Sequence, residues 1–171
     1  IESDSNSGLS STETALSKIA TEVEHCRACS LHRTRRHTVF GTGSALAECL
    51  FVGEAPGAEE DRRGLPFVGR AGQLLNAMIF ALGLERDQTY IANVLKCRPP
   101  DNRDPLGEEV RSCERYLHRQ IELLEPRMII ALGRFAAQSL LKSTLPIGKL
   151  RGLRHSYEPF GIPLVATYHP A

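Results

Sequence analysis

An acid, an amide and an imidazole each follow a short apolar run in this chain. Glu54 sits in Gly53-Glu54-Ala55-Pro56-Gly57, directly after Glu48-Cys49-Leu50-Phe51-Val52; Asn93 lies near the end of Thr89 to Leu95; His169 comes just after Ile162 to Thr167. A carboxylate can stabilise developing positive charge, and an imidazole can stabilise developing negative charge. An amide offers one donor and one acceptor to a ligand edge. The glycines around Glu54 permit a tight turn and close approach of backbone to a ligand, and Pro56 stiffens that turn and removes a competing N–H.

A second constellation is made of thiols. Cys26 and Cys29 form a C-x-x-C pair, while Cys97 and Cys113 follow Asn93 at wider spacing; Cys49, the fifth cysteine, lies within an apolar run and reads as a small buried hydrophobe. Four thiolates can hold zinc or an iron–sulfur cluster. Zinc ribbons usually repeat the short knuckle, so the Cys97–Cys113 gap leans toward iron–sulfur, although Cys113 also falls on the apolar face of a helix and could be core. Basic neighbours of Cys26 and Cys29 would favour their thiolates.

The elements that must position these groups alternate. Strands are expected at 48–53, 89–95, 127–132 and 162–167. A helix with Leu16, Ile19, Ala20 and Val23 on one face precedes them. A second runs from Gly72 to Leu82 with Leu74, Leu75, Met78, Ile79 and Leu82 inward. A third covers Gly107 to Leu124 with the stripe Val110, Cys113, Leu117, Ile121 and Leu124, and a fourth spans Arg134 to Leu141. Residues 58–69 and 97–105 read as loops, and 146–160 as a loop or hairpin carrying basic side chains. Short, continuously apolar strands separated by helices indicate an α/β fold with a parallel sheet covered on both faces. Its strand ends share one edge, where Glu54, Asn93 and His169 would converge.

Composition narrows the class. The 171 residues suffice for one domain with a real core; 42% hydrophobic and 24% charged residues are ordinary for a globular protein. No apolar run approaches the roughly 20 residues of a membrane helix, and no signal peptide is visible, so a cytoplasmic location is expected. Residues 1–11, rich in Ser, Asp and Asn, read as a mobile tail before a single domain over 12–171, which reads as truncated at its C-terminus. A net charge of +1 says nothing about nucleic acid, but basic residues cluster. Arg33, Arg35, Arg36 and His37 form one group; Arg62, Arg63 and Arg70 another; Lys96, Arg98 and Arg103 a third; Lys149, Arg151, Arg154 and His155 a fourth. On one face they would make a phosphate footprint.

Five motifs, in order, resemble the family 4 uracil-DNA glycosylases, the iron–sulfur type: Cys26-x-x-Cys29; Gly53-Glu54-Ala55-Pro56-Gly57 with Glu59-Glu60-Asp61; Leu65-Pro66-Phe67-Val68-Gly69; Asn93-Val94-Leu95-Lys96-Cys97-Arg98-Pro99; and Tyr168-His169-Pro170. The resemblance spans Cys26 to the end. It implies a three-layer α/β/α sandwich with a central four-stranded parallel sheet, and a structural [4Fe-4S] cluster on Cys26, Cys29, Cys97 and Cys113. It implies removal of uracil from deaminated DNA, in single or double strands; a monomer without membrane contact is expected. By motif position, Phe67 stacks on the flipped base, Asn93 reads its edge, Gly53, Glu54 and Ala55 form the pocket floor, and His169 stands beside a uracil carbonyl. Glu60 and Asn102 are further active-site candidates. Ala55 stands where the best-known uracil glycosylases carry Asp, which leaves Glu54, Glu60, a backbone carbonyl or weak activation alone to prepare the water. Two other readings are a non-catalytic DNA-damage or polymerase-associated module and a redox protein. The redox reading gives no reason for Asn93, Phe67 and His169 to meet. No basic, His-containing insertion of the kind carried by a self-trapping relative follows the Phe67 segment, which favours turnover.

Overall fold

A computed structural model describes residues 4–171, with side chains from residue 11 onward. In chain order the strands are β1 (Thr42–Gly43), β2 (Cys49–Gly53), β3 (Tyr90–Asn93), β4 (Met128–Leu132), β5 (Arg154–Tyr157) and β6 (Ile162–Thr167). The helices are α1 (Asp4–Glu24), α2 (Ala58–Arg63), α3 (Arg70–Ala81), α4 (Gly107–Leu124), α5 (Arg134–Leu141) and α6 (Ile147–Leu150). The strands form one sheet in the order β1-β3-β2-β4-β6-β5. Its centre, β3-β2-β4-β6, is parallel, as expected; β1 and β5 add antiparallel edges.

Alternation along the strands sorts the core onto the two faces. Leu50 and Val52, Tyr90 and Ala92, Ile129 and Ala131, and Leu164 and Ala166 join Leu117, Ile121 and Leu124 of α4 and Ala136, Ala137 and Leu140 of α5. Phe51, Ile91, Ile130 and Leu132 point the other way, onto Phe67 and onto Leu75 and Ile79 of α3. A third cluster joins Ile19 and Val23 of α1 to Leu31, Leu95, Cys97, Cys113 and Tyr116. No described helix is long and apolar enough to cross a membrane.

Four expectations need correction. The segment 58–69 is not all loop: α2 forms within it, preceded by Gly57 as N-cap and closed by Gly64 in the left-handed conformation. It buries only Asp61, whose carboxylate accepts the backbone N–H of Arg36 at 2.8 Å, so no apolar period announces it. On α3, Leu74 and Leu82 are exposed because the sheet receives only the narrow stripe through Gly72, Leu75 and Ile79. The expected tail is entered by α1, which begins at Asp4 and extends the amphipathic helix N-terminally; residues 1–3 lie outside the described residues. Finally, Lys96 does not belong to any surface footprint, being 1% exposed.

Candidate active site

The parallel register sets the pocket floor. Gly53 pairs with Asn93 across β2 and β3, and beyond them Val94 N–H donates to Gly53 C=O and Leu95 N–H to Glu54 C=O, each at 3.0 Å. Gly53 must be glycine: a β-carbon there would stand 2.4 Å from Asn93 Oδ1 and 2.6 Å from the Phe67 ring. On the other side of the sheet's midline, Gly133 N–H donates to Thr167 C=O at 2.9 Å. This juxtaposes the end of β4 with the turn that carries His169, whose Cβ would lie 3.1 Å from a β-carbon on Gly133.

Asn93 and His169 line one open cavity of about 380 Å³, together with Glu54, Ala55, Pro56, Gly57, Glu60, Phe67, Asn102 and Arg103. Of the expected non-metal site residues, only Gly53 is absent from the lining itself; it lies directly beneath Asn93 and Phe67. Phe67 and His169 stack, with centroids 5.8 Å apart and planes at 28°. Asn93 is 2% exposed, and its Oδ1 has no hydrogen-bond partner among the described residues. A buried acceptor left unpaired costs of order 1–3 kcal/mol, so it marks a place where a ligand donor belongs.

The two acids differ in their surroundings. Glu60 Oε1 accepts the N–H groups of Val68 at 3.0 Å and Gly69 at 2.9 Å, while Oε2 accepts that of Gly57 at 3.2 Å. That carboxylate is spent on tying two loops together. The Glu54 carboxylate accepts no hydrogen bond from a described residue; burial, reinforced by Asp104 and opposed by Arg134, holds it above the usual carboxylate range. Burial also keeps His169 below its ordinary value, against the opposing charge of Glu60, so the imidazole is neutral at pH 7. Asn102 sits at the rim in a left-handed conformation, its Oδ1 taking the Nε–H of Arg98 at 2.8 Å. Arg103 was not among the expected site residues. It is placed at the cavity by a fork onto Glu109, which is fully buried, with contacts of 2.6 and 3.0 Å.

The four expected ligand cysteines surround a second cavity, lined also by Leu31, Arg35, Leu95 and Tyr116. All are free thiols. Arg35 donates to Cys97 Sγ at 3.3 Å, and the backbone N–H of Lys96 donates to Cys113 Sγ at 3.3 Å. Burial raises the Cys113 thiol to about 11 and raises Cys97 as well. At Cys26 burial is outweighed by hydrogen bonds from Tyr116, the Ala28 N–H and Arg115, and the thiol lies below its ordinary value. Among the described residues, no three Cys, His, Asp or Glu side chains are grouped to hold a metal ion. Cys49 stands apart, packed at the edge of the α3-side core.

Residues 40–171 match the Uracil DNA glycosylase superfamily. A type-4 uracil-DNA glycosylase of Archaeoglobus fulgidus is 47% identical over 163 residues, covering 92% of this chain and 82% of its own length. Its counterpart in Sulfurisphaera tokodaii is 46% identical over 164 residues, covering 92% of this chain and 74% of its own. That of Thermotoga maritima is 42% identical over 162 residues, covering 94% and 84%. With a family match over most of its length and these relatives, the chain belongs to the uracil DNA glycosylase superfamily, among its type-4 members.

Proposed function

We propose that the chain excises uracil from DNA, hydrolysing the N-glycosidic bond to leave an abasic site, and that the Asn93 cavity is where it does so. The observation that carries this is the unpaired, buried Asn93 Oδ1 beside the Phe67 ring. A base in a duplex is out of reach, so it must be turned out into the pocket. Phe67 then stacks on it, a contact worth ~1–3 kcal/mol per base. Asn93 Oδ1 accepts the uracil N3–H and its Nδ2 donates to O4. Cytosine presents the reverse pattern and is refused.

As the bond breaks, positive charge gathers on the sugar and negative charge on the base. Glu54, together with DNA phosphates, offsets the first. Neutral His169 donates an N–H to the uracil oxygen that carries the second. Water then attacks C1′ as the C1′–N1 bond is lost, and the proton it sheds passes by way of Glu54 to the departing uracil anion. With Ala55 in place of an acid and Glu60 committed to three backbone N–H groups, Glu54 is the group available to orient that water. Glu60 and Asn102 shape the site without taking part in proton transfer.

Cys26, Cys29, Cys97 and Cys113 hold a [4Fe-4S] cluster whose contribution is to brace the fold. Four free thiols around one cavity, receiving N–H bonds at the sulfurs of Cys26, Cys97 and Cys113, fit a polynuclear group. On this reading the enzyme works as a monomer in the cytoplasm on single- and double-stranded DNA. The test is a uracil-containing oligonucleotide treated with the iron-loaded protein and then with alkali. Cleavage at uracil, with thymine- and cytosine-containing strands intact, is the expected result. An uncut uracil strand would remove the proposal.

A further inference from the structure

We propose that Arg86 is a positioning residue that sets the Phe67 ring over the bound base; this rests on the reading of Phe67 as the stacking wall. Phe67 needs such support. It lies in the irregular link between α2 and α3, after a proline, with φ at 49°. A bulky side chain in that region costs roughly 1–2 kcal/mol and persists only where its surroundings enforce it.

Two groups of opposite charge enforce it from opposite sides. Glu60 takes the N–H groups just after Phe67, at Val68 and Gly69. Arg86 takes the carbonyls: Nη2 donates to Pro66 C=O at 2.6 Å and Nη1 to Phe67 C=O at 3.0 Å. Nη1 also reaches Asn76 Oδ1 on α3, at 2.8 Å. The planar guanidinium holds both carbonyls in one fixed fork, which a lysine ammonium cannot reproduce. On the remaining side α3 presses close, since a β-carbon on Gly72 would lie 1.9 Å from Phe67 O.

Arg86 also sets the ring in register with the reading amide. It opens the short turn Arg86–Gln88 immediately before β3, and Asn93 ends β3. The wall and the edge reader are therefore referred to one rigid strand. Displacing a ring by about 1 Å can cost on the order of 100-fold in rate.

A double-mutant cycle tests the inference. Single-turnover excision of a uracil oligonucleotide is measured for wild type, Phe67→Ala, Arg86→Met, Arg86→Lys and both double variants, with melting temperatures alongside. Arg86→Met is expected to slow excision roughly 10- to 100-fold, with Arg86→Lys nearly as slow. In the Phe67→Ala background, either Arg86 change is expected to cost less than about 3-fold, because the ring it places is gone. Full cost in both backgrounds would overturn the proposal, as would Arg86 variants at wild-type rate beside a slow Phe67→Ala. Phe67→Ala at wild-type rate would instead refute the stacking reading itself, and the proposal with it. Should Arg86→Met fail to fold, the cycle with Arg86→Lys decides between the same outcomes.

Discussion

Gly53 lies so close beneath Asn93 that a β-carbon on it would stand 2.4 Å from the amide oxygen. The two are partners in the β2–β3 register, so neither strand can retreat alone. Gly53→Ala must therefore push the amide or the Phe67 ring into the space of the base. Excision is expected to fall by at least about 100-fold, with a stability loss of only about 1–3 kcal/mol. Oligonucleotide cleavage and thermal melting on one sample check this. Near-normal excision by the alanine variant would contradict the packing.

In the proposed mechanism Glu54 gives up stability for function. Its folded-state value is raised, chiefly by burial, so its charge costs stability at pH values above the unfolded carboxylate range, and the cost fades as pH falls through that window. Glu54→Gln is expected to melt higher than wild type at pH 7, with the advantage gone near pH 4, and to excise uracil more slowly. The wild-type rate should fall with acid above the ordinary glutamate range, and this limb should be missing in Glu54→Gln. Any break from His169 is expected below its ordinary value, because burial lowers it against the opposing charge of Glu60.

Glu60 is a clamp in this account. Replacing it by Gln turns one acceptor into a donor facing a loop N–H. The expected loss is about 2–3 kcal/mol of stability together with slower excision, since the Phe67 loop loosens. Slower excision with an unchanged melting curve would mean that Glu60 activates the water instead.

The parallel core was legible because its strands are short, apolar runs followed by glycine or a polar turn. Motif order supplied the cavity residues, and the shared strand edge supplied Glu54, Asn93 and His169. What stayed hidden is what packs across the chain. The edges β1 and β5 are short and polar, and exist only through antiparallel pairing. Lys96 is buried because its ammonium finds Asn93 C=O, Phe40 C=O and Gln120 Oε1, contacts that no local pattern foretells. Arg86 lies about twenty residues beyond the loop it holds. Arg103 could have been suspected from its crowded Pro, Asp and Asn loop, but its buried partner Glu109 reads in sequence as an ordinary first-turn acid.

The cysteine site makes its own prediction. Protein prepared without oxygen is expected to be brown, with a broad visible band and four irons per chain when a [4Fe-4S] cluster is bound. Cys97→Ala is expected to lose the band and to melt lower. A colourless, zinc-loaded protein would contradict the iron–sulfur assignment.

Asn93 is proposed to read the uracil edge, and exchanging that amide for an acid alters that edge with little change of shape. Asn93→Asp and wild type are to be compared on oligonucleotides carrying a single uracil or a single cytosine, cleaved with alkali. The substituted carboxylate offers no amide donor to O4, so excision of uracil is expected to fall by at least about 100-fold, with cytosine newly attacked when the acid is protonated. Unchanged uracil excision by Asn93→Asp would mean that this amide does not read the base.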